Sequence, residues 1–219
     1  MASAISGLEP AALWDNFAAL SRIPRPSKQE EQVLAWLKEF ADTRSLEWQQ
    51  DEVGNIGVRR PGSGGGESAP TVVIQSHVDM VCEKNSDVEH DFNRDPIRLL
   101  RDGDWLTADG TTLGADNGIG VATALALLEM AANARLPPLE CLFTVDEETG
   151  LTGAFALDGA LLQGRTLLNL DTEEWGAICI GCAGGGDSEL TLPVSREASP
   201  GDYLSFQLSV EGLMGGHSG

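Results

Sequence analysis

The chain has 219 residues, 42% of them hydrophobic, and its 34 acids against 14 bases give a formal charge of −20. That length supports one sizeable core, or one domain and part of another, and the acidity argues against nucleic acid or an anionic membrane surface as partner. Residues 1–7 carry no basic or long apolar pattern, so no signal peptide is expected; no run approaches bilayer length, and the four cysteines are too few for a disulfide scaffold, so a cytoplasmic protein is expected.

Pro10 opens a first helix, where a missing N–H is tolerated, and Leu13, Trp14, Phe17 and Leu20 fall on one face of it. Ser27 to Glu30 has the spacing of a capping box and starts a second helix with a buried stripe of Val33, Leu34, Leu37 and Phe40. A hairpin of residues 46–50 and 55–59 follows, then the flexible loop Pro61 to Gly66. Thr71 to Ile74 reads as a buried strand running into His77. Residues 82–110 are polar and irregular, with a turn at Asp102 to Leu106. Residues 117–134 form an Ala/Leu helix stopped by Pro137-Pro138. A second buried strand ends at Val145, a short helix lies near residues 153–163, and a third buried strand, Thr166 to Leu168, runs to Asp171. Strands alternating with helices predict an α/β fold, a mixed and largely parallel sheet flanked by helices.

Gly181 to Gly186 breaks this rhythm. Beyond it, residues 189–194 and 203–210 alternate apolar and polar, the pattern of half-exposed antiparallel strands. The expected division is a catalytic domain over 1–185 and the start of a smaller α+β lid domain over 186–219. With a turn ending at Gly219, the chain is expected to be an N-terminal fragment. Cys179-Ile180-Gly181-Cys182 is a lone C-x-x-C, better read as thiols near a strand end than as a redox or zinc motif.

The chemistry sits where the strands stop. Ser76-His77-Val78-Asp79, Gly114-Ala115-Asp116-Asn117, Asp146-Glu147-Glu148-Thr149-Gly150 and Asn169-Leu170-Asp171-Thr172-Glu173-Glu174 put acids and a histidine at element ends. Open α/β sheets bind their ligands at that edge. Each has an ordinary reading alone: a packed histidine, an N-cap at Asp116, surface acids at Glu173 and Glu174. Together they fit a two-metal hydrolytic site. His77, Asp116, Glu148 and Asp171 are the metal ligands, with Asp116 as the bridge. Asp79 accepts the second ring N–H of His77, and Glu147, free of metal, is the general base.

The same four motifs, with Ala108-Asp109-Gly110-Thr111-Thr112-Leu113 ahead of Gly114, resemble the aminoacyl-histidine dipeptidases of the co-catalytic zinc aminopeptidase/carboxypeptidase/aminoacylase group. The resemblance covers nearly all of residues 5–219. It implies a zinc-exopeptidase-like fold and a metallodipeptidase acting on small peptides, on Xaa-His dipeptides and more broadly. Its cofactors would be two divalent ions, zinc with manganese or cobalt as alternatives. His77 and Asp171 would hold one ion and Glu148 the other, with Asp116 bridging and followed by a non-proline cis peptide. Glu147 would shuttle the proton and Asp79 stand behind His77. His217 matches a lid histidine that reaches the partner's active site in related dimers and holds the scissile carbonyl oxygen there, which implies a homodimer through the lid at full length. The family's second ion needs a further histidine that this sequence lacks, so the chain is expected to hold that ion weakly. His90 is left as a surface residue. The alternatives are a related amidohydrolase or deacetylase of N-acyl amino acids, or an inactive metal-binding homologue. Gly118-Ile119-Gly120 falls short of a dinucleotide fingerprint, and no G-x-S-x-G elbow is present.

Overall fold

The apolar stripe Phe17, Leu20, Val33, Leu37 and Phe40 is buried in the computed structural model, which describes residues 4–172, 174–181, 186 and 188–213. The chain forms two units, Met1–Glu173 and Glu174–Gly219. In the first, helices α1 (Ala11–Leu20) and α2 (Glu31–Thr43) precede the hairpin strands β1 (Glu47–Gln50) and β2 (Ile56–Arg60). Strand β3 (Val72–His77), the hairpin β4 (Leu99–Asp102) and β5 (Trp105–Ala108), and helix α3 (Ala115–Leu128) come next. Strand β6 (Leu139–Thr144), the short helix α4 (Thr152–Phe155), a 3-10 turn at Gly159–Leu161 and strand β7 (Thr166–Asn169) complete the unit.

The main sheet runs β1-β2-β6-β3-β7. β3 pairs in parallel with β6 and β7, while β2 lies antiparallel to β6, so the sheet is mixed as expected. Side chains alternate between its faces. Ile74, Cys141 and Phe143 join the large core with α1, α2 and α3, whereas Val73 and Leu142 pack with Leu161 in a smaller cluster. The three parallel strands finish at one edge, and α3 begins there.

Several local expectations are corrected. Ser27 does not cap α2; its hydroxyl donates to the Asp79 carboxylate at 2.7 Å, and Glu30 stands at the cap without a side-chain capping bond. α3 stops at Leu128, short of residue 134; past its end Arg60 donates to the Met130 carbonyl and Ser63 to that of Ala134. The expected helix over 153–163 is two short pieces. β7 is not a buried strand: Leu167 and Leu168 are about half exposed (50% and 49%), as befits a sheet edge. His90 is half-buried rather than on the open surface, stacked edge-on against Phe92.

In the second unit the described residues form no helix or strand. The segments 189–194 and 203–210 keep their alternation, but Leu190, Leu192, Phe206 and Leu208 are exposed. A strand needs a neighbour for its N–H and C=O groups, and no described residue of this unit supplies one.

Candidate metal centre

Register brings the site together. His77 is the last residue of β3 and pairs with Thr144 of β6, while Gln75 pairs with Asn169 of β7. Two residues beyond Asn169, Asp171 therefore arrives level with His77. Its Oδ1 lies 3.6 Å from His77 Nε2. On the other side, Asp146 takes a positive φ of 48° as the chain leaves β6. Its carboxylate accepts from the Thr149 and Thr152 hydroxyls, so Asp146 serves the turn and leaves Glu147 and Glu148 toward the sheet edge. At the start of α3, Asp116 brings Oδ1 to 3.0 Å from His77 Nε2. The Asp116–Asn117 peptide is cis, as the family resemblance implied.

His77 is 1% exposed. Its Nδ1 faces Asp79 Oδ1 at 3.2 Å, and Nε2 faces Asp116, Asp171 and, at 4.0 Å, Glu147 Oε2. Donor atoms of His77, Asp116 and Glu148 all lie within 4.8 Å of one another, an arrangement able to hold a metal ion. Asp171 approaches the same ring nitrogen from outside that trio. His217 lies outside the described residues, as do Glu173 and Cys182.

The electrostatics favour a cation at this point. Burial pulls His77 down, but hydrogen bonds to Asp116, Asp171 and Asp79 outweigh it and hold the ring at about 12. A metal taking Nε2 displaces that proton. Burial pushes Glu147 up, and the neighbouring Asp171, Asp79 and Asp116 push it further against the pull of His77. Glu148 is raised by burial and then by Asp116. Asp79 behaves oppositely: burial raises it, but His77, the Glu147 N–H and the Ser27 hydroxyl bring it down to about 2. The donor set, one imidazole nitrogen with several carboxylates on its far side and one behind it, fits a zinc-type ion.

Two residues that sequence reasoning missed support this set. Ser27, whose spacing suits a helix cap, instead donates to Asp79. Arg25, 2% exposed, donates to the carbonyls of Val78, Asp79 and Gly114. Between them, Pro26 bridges to Met80, which lays this segment against the strand end. Beside Glu147 and Asp171 opens a cavity of about 300 Å³, walled by Val145, Leu151, Leu157 and Leu167.

No family model matches the chain. Its sequence is 48% identical over 217 residues, 99% of the chain, to the cytosol non-specific dipeptidase of Escherichia coli. Over nearly all of its own length the chain is similar to that dipeptidase. The chain spans 44% of the length of that relative. The crystal structure of the aminoacylhistidine dipeptidase from Vibrio alginolyticus superposes with a TM-score of 0.76 at 46% identity, over 78% of this chain and 35% of that one. The aminopeptidase PepT of Bacillus cereus gives 0.61 at 25% identity, over 74% and 43% respectively. The α/β fold is thereby shown, and no helix of the described residues is long and apolar enough to cross a membrane.

Proposed function

We propose that the chain carries the metal-binding part of a dipeptidase that hydrolyses small peptides, Xaa-His dipeptides among them, in the cytoplasm. The observation that carries this is the convergence of Asp116, Asp171 and Glu147 on one nitrogen of His77, with Asp79 on the other, in a chain 48% identical to a dipeptidase. Residues 1–185 belong to the catalytic domain in this reading. Residues 186–219 begin a lid, with His217 as a substrate contact and the lid as the surface of a homodimer.

Divalent ions, zinc or alternatively manganese or cobalt, acidify a water and polarise the scissile carbonyl when bound. His77 and Asp171 would hold one, Glu148 would hold the other, and Asp116 would serve both. The carboxylate of Asp79 fixes the ring of His77 through Nδ1, so that Nε2 is the nitrogen presented to the site. Its oxygens also accept the main-chain N–H groups of Glu147 and Glu148 at 3.1 Å, which couples the orientation of the histidine to that of the two glutamates. Glu147 removes a proton from the attacking water at a carboxylate oxygen and returns it to the leaving amine. Its raised pKa suits both halves of that task. The apolar-walled cavity beside it accommodates a substrate side chain.

The test compares β-alanyl-histidine with an N-acetyl amino acid as substrates and counts the metal bound. Dipeptide cleavage with two ions per chain, the second held weakly for want of a further histidine, supports the proposal. Cleavage of the acyl substrate alone assigns an amidohydrolase instead, and one ion with no turnover of either assigns a metal-binding homologue.

A further inference from the structure

One buried guanidinium ties together the two loops that hold the metal-facing residues. Arg25 Nη1 donates to the carbonyls of Val78 and Asp79, each at 2.9 Å, and Nη2 donates to Gly114 at 2.5 Å. Val78 and Asp79 directly follow His77; Gly114 stands two residues before Asp116. Space has been cleared for this group. A Cβ on Gly114, which has φ +69°, would strike Arg25 Nη2 and lie 2.8 Å from Met80 Sδ, and one on Gly118 would lie 2.9 Å from Nη2. The remaining nitrogen, Nε, is buried with no hydrogen-bond partner among the described residues. The side chain therefore leaves one donor unsatisfied while its fork reaches three main-chain oxygens, and an unsatisfied buried donor is costly.

We propose that Arg25 is a positioning residue for the metal centre: it sets the distance between the His77 loop and the Asp116 loop, and so preorganises both for one ion. The proposal rests on the metal-centre reading above. A competing role exists, because a buried cation beside a metal site also repels the metal. The two roles predict opposite signs. If charge dominates, removing it tightens metal binding. If positioning dominates, removing it loosens binding, and lysine does not rescue, since one compact ammonium cannot occupy the two nitrogen positions from which the planar fork reaches the two loops.

The experiment measures zinc affinity by calorimetry, and the cobalt visible spectrum, for wild type, Arg25→Lys and Arg25→Met. Leu37→Ala, in the core on α2, controls for general loss of stability. Both Arg25 variants should bind zinc about 10- to 100-fold more weakly, as outer supports of metal ligands do, with an altered cobalt spectrum, while Leu37→Ala binds as wild type. Wild-type affinity in Arg25→Lys together with tighter binding in Arg25→Met overturns the proposal, as does unchanged affinity in both. If Arg25→Met fails to fold, Arg25→Lys decides. Amide exchange in the metal-free protein is measured alongside. If wild type takes up no metal, the metallopeptidase reading fails, and Arg25 is judged on exchange alone. Faster exchange across residues 78–81 and 114–118 in Arg25→Lys supports positioning; unchanged exchange there sinks it.

Discussion

Asp79→Asn isolates the energetic part played by one carboxylate oxygen. Asp79 is fully buried and accepts four hydrogen bonds: His77 Nδ1 at 3.2 Å and the Glu147 N–H at 3.1 Å on Oδ1, and the Ser27 hydroxyl at 2.7 Å and the Glu148 N–H at 3.1 Å on Oδ2. Asparagine keeps the shape but has one oxygen. With that oxygen in the Oδ1 position, the new NH2 group faces Ser27, whose hydroxyl can rotate to accept, and the Glu148 N–H, which cannot. One buried donor is stranded, at a cost of about 1–3 kcal/mol. The pKa offers a second route to the figure. A carboxyl held at about 2 instead of 3.8 corresponds to about 2 kcal/mol. The sign follows from a depressed folded-state pKa: the stabilisation is present above the unfolded value and fades as pH falls through 3.8 toward 2. At about pH 3 roughly half of it, about 1 kcal/mol, is gone. Urea denaturation of the metal-free chain, followed by the fluorescence of Trp36 and Trp48 that pack on the core, should show Asp79→Asn about 2 kcal/mol less stable near pH 7, with the gap narrowing in acid. A variant as stable as wild type near neutrality, or a gap that stays constant down to about pH 3, refutes the reasoning.

The remaining expectations are simpler. Glu147→Gln should keep zinc affinity close to wild type in titration while dipeptide turnover falls about 10²- to 10⁴-fold, the usual share of a general base. Gly120→Ala places a methyl against the Asn117 side-chain oxygen and 2.7 Å from Ser76 Oγ; both are buried, and thermal melting should show a loss of about 1–3 kcal/mol. Leu125→Ala, at 0% exposure in the main core, should cost about 2–5 kcal/mol in the same assay without altering metal stoichiometry. Zinc at about one hundred times its dissociation constant should add about 2.7 kcal/mol to the stability of wild type, and a chelator should remove it.

What could be read in advance and what could not divide along a physical line. The apolar runs of β3 and β6 and the acids that follow them are local signals, because a buried strand announces itself by composition and a charged residue at its end stands out against that background. β7 shows the limit of the same signal. Thr166 to Leu168 is as apolar as a buried strand, yet its exposure is set by what lies beside it in the sheet, which no local pattern encodes. Ser27 shows a second limit. Its spacing to Glu30 is that of a capping box, and a hydroxyl is equally able to satisfy a helix N–H or a buried carboxylate. The carboxylate of Asp79 wins because it is fully buried and charged, so leaving it short of a donor costs more than leaving an exposed helix end to water. Arg25 was hidden for the related reason that its partners are carbonyl oxygens, which every residue carries and no side-chain motif marks. The side chains that gather at such an edge are thus legible from residue type, while the groups that hold them in place become visible only when main-chain atoms from distant segments are seen to meet.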